Sequence, residues 1–242
     1  MSTKKPAILI VHGFRGSHKG LAAVAKRLSD YGWECHVPDI PPFGESKPLS
    51  EYTPEAYAEF LKSYVESHNL KQPILVGHSM GSIVVSAASS KYPDLFHQKI
   101  VFMSPISSHP PRFITNLAPI LILIPNKFLS YIITKYLAVY DDHKDFKEIL
   151  KLTTICAENY TSKKDVIEAA KFSAKYDISS FDLNKDALFL AGEKDRLVKQ
   201  SRTRDLAKKL SAKTVFVKRT GHLINYGKPK KAADHINQFL ND

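Results

Sequence analysis

Cysteine is scarce in this chain of 242 residues, and its scarcity excludes a cysteine metal site. The two cysteines, Cys35 and Cys156, lie far apart and form no C-x-x-C pair. A secretion signal is also missing from the pattern, because residues 1–6 lead directly into a short apolar run without a small-residue cleavage site. We therefore expect a cytoplasmic protein whose two cysteines are buried thiols without a disulfide.

The sequence has no long uninterrupted hydrophobic run. Its longest apolar region, residues 117–139, is interrupted by Pro125, Asn126, Lys127 and Lys135. A membrane-spanning helix needs roughly 18 or more consecutive apolar residues, and no uninterrupted run in this region is that long. We expect it to belong to a packed lid and not to a membrane span.

Acidic residues are fewer than basic ones, 24 against 35, which gives a formal net charge of +11. Such an excess raises the question of a nucleic acid, an anionic membrane or an anionic substrate as partner. The lysines, however, are scattered, and no basic motif is interleaved with aromatic residues. We interpret the charge mainly as solubilising surface charge and expect no nucleic-acid partner.

Short apolar runs rich in β-branched residues alternate with longer amphipathic stretches. This alternation is typical of βαβ units and predicts the α/β class, with a mostly parallel central sheet and helices on both faces. Most of the runs are continuously apolar, as expected of strands that are covered on both faces. The predicted strands are residues 7–11, 34–37, 73–76, 99–103, 187–191 and 214–217.

One stretch breaks the alternation. Residues 107–183 have helical periodicity without a convincing buried strand, so we predict a helical cap inserted into a core formed by residues 1–106 and 184–242. Within the cap, four apolar residues recur at the spacing of one helix face. This stripe consists of Leu129, Ile132, Ile133 and Tyr136.

The strongest local signal is the pentapeptide G-H-S-M-G at residues 77–81. A predicted strand ends immediately before it, and a helical stripe begins immediately after it. A sharp turn from strand to helix needs glycines beside the serine, because the crowded backbone leaves no room for a Cβ atom. Ser79 is therefore predicted to stand exposed at the carboxyl end of the sheet as a nucleophile.

A serine nucleophile needs a base that accepts its proton. Among the ten histidines, His222 follows the last predicted strand and so lies at the same edge of the sheet as Ser79. His78, next to the nucleophile, is expected to point away. The base in turn needs an acid, and Asp195 follows the strand at residues 187–191. Glu193 is its nearest competitor.

A developing oxyanion needs two backbone N–H donors. Met80 follows the nucleophile and is the first candidate donor. The tripeptide H-G-F at residues 12–14 follows the first predicted strand, where Gly13 allows the backbone to approach closely and Phe14 is the second candidate donor.

Together, these motifs resemble the α/β-hydrolase superfamily, over nearly the whole chain apart from the lid. The order Ser79, Asp195, His222 is the order of that fold. The loop at residues 39–46 also resembles the family, although Pro42 stands where a glycine is usual. The resemblance implies a helical cap, no metal or organic cofactor, and a carboxylesterase or small lipase acting on a small-molecule ester. A serine nucleophile is unlike the dehalogenase and epoxide hydrolase branches, which use aspartate.

Substrate contacts are predicted at Gly13, Leu129, Ile132 and Tyr136. An apolar stripe of this kind is also typical of simple packing, and that alternative stays open. A second hypothesis for the enzymatic activity is carbon–carbon bond hydrolysis of a dienoic keto acid, whose carboxylate Arg15 and Arg112 would bind. A third hypothesis is a ligand-binding protein without catalysis.

Overall fold

The computed structural model describes residues 5–106, 126–138 and 143–242. In these ranges, six parallel strands form one sheet in the order β2-β1-β3-β4-β5-β6. Each strand overlaps one of the predicted runs, and the predicted α/β class is confirmed. The strands are β1 Ile8–Val11, β2 Cys35–His36, β3 Ile74–His78, β4 Lys99–Met103, β5 Asp186–Gly192 and β6 Lys213–Val217.

The helices pack on both faces of the sheet. Two of them begin at side-chain caps, since Thr53 accepts a hydrogen bond from the Ala56 amide and Ser162 accepts one from the Asp165 amide. No helix in the described ranges is both long and apolar enough to cross a membrane. The helices are α1 His18–Asp30, α2 Pro54–Ser67, α3 Met80–Lys91, α4 Asn126–Ile133, α5 His143–Glu158, α6 Lys163–Lys175, α7 Gln200–Lys209, α8 Ile224–Gly227 and α9 Pro229–Asn241.

Strand β1 shows how the core is built on both faces. Its side chains alternate, so that Leu9 and Val11 join the cluster that includes α2 and α3, whereas Ile8 and Ile10 join the cluster that includes α1 and α9. All four side chains are fully buried. Burying each one stabilises the fold by about 1.5–3 kcal/mol, which explains the continuous apolar run.

The strand order creates a crevice beside β1. The chain runs from β1 to β2 on one side and then crosses to β3 on the other side. The loops that follow β1 and β3 therefore leave the sheet in opposite directions and open a crevice at the carboxyl ends of the strands. This crevice holds the candidate site.

Part of the predicted cap packs in the core. Helix α6 buries Val166, Ala169 and Phe172 in the same cluster as α2, and the rings of Phe172 and Tyr57 lie 4.6 Å apart. The boundary of the cap at residue 183 stays a prediction. Helices α4 and α5 pack against each other, and for them the cap assignment stays a prediction. Residues 107–125 and 139–142 of the predicted cap, with Arg112, lie outside the described residues.

The two cysteines lie in different environments. Both thiols are free, and Cys156 on α5 is buried, as expected. Cys35 begins the edge strand β2 and is only partly buried, so the expectation of a buried thiol was wrong for this residue. Burial nevertheless raises the pKa of Cys35 to about 11, which keeps it a thiol at neutral pH.

Candidate active site

Ser79 stands at a sharp turn between β3 and α3. Its φ of 52° and ψ of −119° lie in a region that residues with a Cβ rarely adopt, at a cost of about 1–3 kcal/mol. Two contacts hold this conformation: the Ser79 amide donates to the Met103 carbonyl at 3.0 Å, and the Ser82 hydroxyl donates to the Ser79 carbonyl. The turn is thus fixed by β4 on one side and by α3 on the other.

The flanking glycines are required by space, as the sequence predicted. A Cβ at Gly77 would lie 2.6 Å from the Gly81 carbonyl oxygen, and a Cβ at Gly81 would lie 2.3 Å from the Val11 carbonyl oxygen. Both obstacles are backbone atoms, which cannot move aside as a flexible side chain can. The two glycines therefore allow α3 to begin directly against β1 and β3.

We expect Gly81→Ala to lower the free energy of unfolding by about 3 kcal/mol or more, because its Cβ overlaps the backbone of β1. Urea denaturation of the purified variant measures the loss. Gly32→Ala is the control, since Gly32 has a φ of 81° but open space around it. That variant should lose only about 1–2 kcal/mol. Equal losses in both variants would contradict the role of close packing.

His222 lies in the loop after β6 and is buried. Its Nε2 is 2.9 Å from Ser79 Oγ, and its Nδ1 is 2.8 Å from Asp195 Oδ2. His78 also contacts this loop, because its Nε2 lies 3.4 Å from the His222 carbonyl oxygen. The expectation that His78 points away was therefore wrong: its ring packs 5.7 Å from the His222 ring and lines the crevice.

Asp195 is held in place by the chain that follows it. Its Oδ1 accepts hydrogen bonds from the amides of Leu197 and Val198, at 2.8 Å and 2.9 Å. Burial by itself would raise the pKa of Asp195, but the charge and hydrogen bond of His222 and the two amides lower it below its ordinary value. An ionised Asp195 fixes the proton of His222 on Nδ1, so Nε2 is left to accept the Ser79 proton.

Glu193, the competing acid, is placed differently. Its Oε2 accepts a hydrogen bond from the Arg219 amide at 3.2 Å, and its carbonyl accepts one from the Gln200 side chain. The structure thus brings Asp195, and not Glu193, to the Nδ1 atom of His222.

The loop after β1 places a peptide group beside the nucleophile. A Cβ at Gly13 would lie 2.8 Å from the Ser79 Cβ, so only glycine fits there. His12 orients this peptide, since its Nδ1 is 2.9 Å from the Gly13 carbonyl oxygen and its Nε2 accepts from the Ile40 amide at 2.9 Å. Because a trans peptide points its C=O and N–H in opposite directions, fixing the Gly13 carbonyl also fixes the Phe14 N–H.

His12 is buried and neutral. Burial lowers the pKa of His12 to about 4, so near neutral pH it carries one ring proton. That proton sits on Nδ1, because Nε2 accepts a hydrogen bond. The sequence pattern marks His12 only as the residue before Gly13, because its contacts with the Gly13 carbonyl and the Ile40 amide leave no local signal.

Met80, the other candidate donor, is the first residue of α3. An amide in the first turn has no carbonyl within the helix to bond, and the positive end of the helix dipole lies there. Met80 itself is fully buried. Its backbone N–H is thus a suitable partner for negative charge that forms next to Ser79.

A cavity of about 140 Å³ opens onto these groups. Helix α4 reaches it through Ser130 and Ile133 and not through the predicted contacts. Leu129 is buried elsewhere, Ile132 is half-buried, and Tyr136 is about half exposed; none of the three lines the cavity. Besides the residues already described, the lining includes Arg15, Ser130, Ile133, Leu197, Leu223 and Tyr226.

The positions of two lining residues, Leu197 and Leu223, are predictable from the sequence. Leu197 follows Asp195 by two positions, and Leu223 directly follows His222, so both are bound to lie near the catalytic candidates. Tyr226 and Ser130 have no such neighbour and reach the cavity only through tertiary packing. Within the described ranges, no group of three or more His, Cys, Asp or Glu side chains is arranged to hold a metal ion.

The fold and the site define a protein of the hydrolase type, and the sequence comparison agrees. The chain belongs to the alpha/beta hydrolase fold family, whose model matches residues 6–138. It is 26% identical over 253 aligned residues to the uncharacterized hydrolase YugF of Bacillus subtilis (strain 168). The alignment covers 98% of this chain and 90% of that protein.

Solved structures share the fold. The esterase of Thermogutta terrifontis superimposes with a TM-score of 0.84 at 20% identity, covering 98% of this chain and 90% of that one. The bromoperoxidase of Bacillus anthracis superimposes with a TM-score of 0.84 at 22% identity, covering 99% and 93%. At these identities, the two structures establish the architecture but not the activity.

Proposed function

We propose that this protein is a serine hydrolase that cleaves carboxylic esters through an acyl-enzyme on Ser79. The observation that carries the proposal is the chain of contacts from Ser79 Oγ to His222 Nε2 at 2.9 Å and from His222 Nδ1 to Asp195 Oδ2 at 2.8 Å. Family membership supports a hydrolase, and structural neighbours that are named esterases support ester hydrolysis as its general class.

In the acylation step, His222 Nε2 takes the hydroxyl proton of Ser79 while Oγ bonds to the ester carbonyl carbon. The carbonyl oxygen becomes negatively charged and accepts hydrogen bonds from the amides of Phe14 and Met80. As the tetrahedral intermediate collapses, the bond to the alcohol oxygen breaks, and His222 gives its proton to the departing alkoxide. An alcohol leaves, and the acyl group stays on Ser79.

In the deacylation step, His222 takes a proton from water, and the hydroxide formed attacks the acyl carbon. The second intermediate collapses with the proton returned to Ser79 Oγ, and a carboxylic acid leaves. Asp195 stabilises the imidazolium in both steps without taking its proton. No cofactor is required by this sequence of steps.

The volume of the cavity limits the length of the acyl group that it can hold. A space of about 140 Å³ is small compared with the several hundred Å³ of sites for drug-sized ligands. Apolar side chains, including Ile133, Leu197 and Leu223, provide much of its lining. We therefore propose that esters with short acyl chains are the better substrates.

Release of 4-nitrophenol from a series of 4-nitrophenyl esters tests the function. We expect turnover with the acetate and butyrate esters and at least about tenfold lower kcat/KM for the palmitate ester, which exceeds the cavity. A dienoic keto acid is assayed in parallel. Turnover of the keto acid without the esters would favour carbon–carbon hydrolysis, and tight binding without any turnover would favour a binding protein.

A further inference from the structure

Arg15 carries a positive charge and lines the cavity onto which the reacting groups open. It follows Phe14, the candidate oxyanion donor, and lines the same cavity as Ser79 and His222. Its φ of 57° lies in the left-handed region, so the loop holds this residue in a conformation that few residues with a Cβ adopt. The side chain is half-buried.

The guanidinium of Arg15 is only partly satisfied. One nitrogen, Nη2, donates to the neutral Asn126 Oδ1 of α4 at 3.1 Å. Nε is buried and has no hydrogen-bond partner among the residues that the structure describes. Within the described ranges, Arg15 forms no ion pair, and the described lining of the cavity contains no Asp or Glu.

This arrangement differs from that of the other buried charges near the site. The Asp39 carboxylate accepts hydrogen bonds from the His18 ring and from the Glu45 amide, and Asp195 is bound by His222 and two amides. An arginine stays charged even where burial lowers its pKa, as it does here, and a buried charge without a counter-ion is unfavourable. A negatively charged ligand group would satisfy both the charge and the free Nε donor.

We propose that Arg15 binds a carboxylate of the substrate, so that the preferred substrates are esters whose acyl part ends in a carboxylate, such as monoesters of short dicarboxylic acids. This inference rests on the proposed ester hydrolysis at Ser79. Because Arg15 and Ser79 line the same cavity of about 140 Å³, the carboxylate must lie only a few bonds from the ester carbonyl. The net charge of +11 favours the approach of such an anion.

The test compares two esters of similar length, mono-4-nitrophenyl adipate, which ends in a carboxylate, and 4-nitrophenyl heptanoate, which ends in a methyl group. We expect the wild type to prefer the adipate ester. Arg15→Gln should lower kcat/KM for the adipate ester roughly 10- to 100-fold and change the heptanoate value less than about threefold. The loss should appear mainly in KM, because the carboxylate contact is the same before and during the reaction.

Two further variants make the comparison specific. Arg15→Lys keeps the charge and should retain part of the preference for the adipate ester. The preference should be weaker than in the wild type, because lysine lacks the planar guanidinium that can bind both carboxylate oxygens. Arg202→Gln removes an equal charge from the exposed face of α7 and should change neither substrate. Thermal unfolding of each variant checks that the fold is intact. A wild type that does not prefer adipate, or equal losses on both esters in Arg15→Gln, would overturn the inference.

A binding measurement separates this inference from the proposed function. In the Ser79→Ala background, calorimetric titration with mono-4-nitrophenyl adipate measures affinity without turnover. We expect binding that weakens roughly 10- to 100-fold when Arg15→Gln is added. If the heptanoate ester is hydrolysed but this weakening is absent, Arg15 is not a carboxylate site. If neither ester is hydrolysed but the weakening is present, the ester-hydrolase proposal fails and the anion site stands.

Discussion

Ser79→Ala is expected to lower kcat/KM for 4-nitrophenyl butyrate by about 10⁵-fold or more, the largest effect that we predict for any substitution. The variant keeps the fold, because the hydrogen bonds that hold the turn use backbone atoms of residue 79. Among the described residues, the Ser79 hydroxyl bonds to His222 alone. It cannot form the acyl-enzyme, so both steps of the reaction are lost, and only binding and the oxyanion donors remain. Steady-state kinetics of the purified variant measure the loss.

Ser89→Ala is the matched control for this experiment. Ser89 lies on the same helix, α3, and is also buried, but its hydroxyl has no hydrogen-bond partner in the described part of the chain. We expect activity within about twofold of the wild type, since neither the site nor a hydrogen bond changes. Activity of Ser79→Ala above about 1% of the wild type would contradict the nucleophile assignment.

Asp195→Asn should lower kcat by about 10³- to 10⁴-fold while leaving KM within about threefold. An asparagine that turns its NH₂ group toward His222 Nδ1 makes that nitrogen an acceptor and moves the ring proton to Nε2. In this tautomer, Nε2 cannot take the proton of Ser79, so the chemical step slows while the cavity stays the same. The kcat and KM values of the variant separate these two effects.

Glu193→Gln is the control for the identity of the acid. Glu193 precedes Asp195 by two positions and has the same charge, but it accepts a hydrogen bond from the Arg219 amide instead of contacting His222. A glutamine oxygen still accepts that bond, so we expect kcat within about twofold of the wild type. A larger loss in Glu193→Gln than in Asp195→Asn would mean that Glu193 is the acid.

The sheet and the three catalytic candidates were predictable because local patterns determine them. Continuous apolar runs mark strands buried on both faces, and parallel strands bring their carboxyl ends to one edge. A polar residue that follows such a strand directly or after a short loop then lies near the others. Ser79 directly follows β3, Asp195 comes three residues after β5, and His222 comes five residues after the edge strand β6. The structure places His222 within hydrogen-bonding distance of both Ser79 and Asp195.

The helical region between β4 and β5 was less predictable. An amphipathic helix has the same periodicity whether its stripe faces the sheet or another helix, so the sequence does not reveal that α6 packs in the same cluster as α2. In α4, neighbouring positions are also apolar, and the rotation of the helix decides which of them face the cavity. That rotation depends on how α4 packs against α5. As a result, Ile133 lines the cavity and Ile132 does not.

The central claim is that His222 activates Ser79, and covalent labelling with a fluorophosphonate tests it most directly. The probe phosphonylates a serine only where a base and oxyanion donors assist the attack. We predict one adduct per chain by intact mass, located on Ser79 by peptide mapping and absent from Ser79→Ala and His222→Ala. A folded wild-type protein that takes up no probe, or that carries the adduct on a different serine, would contradict the claim.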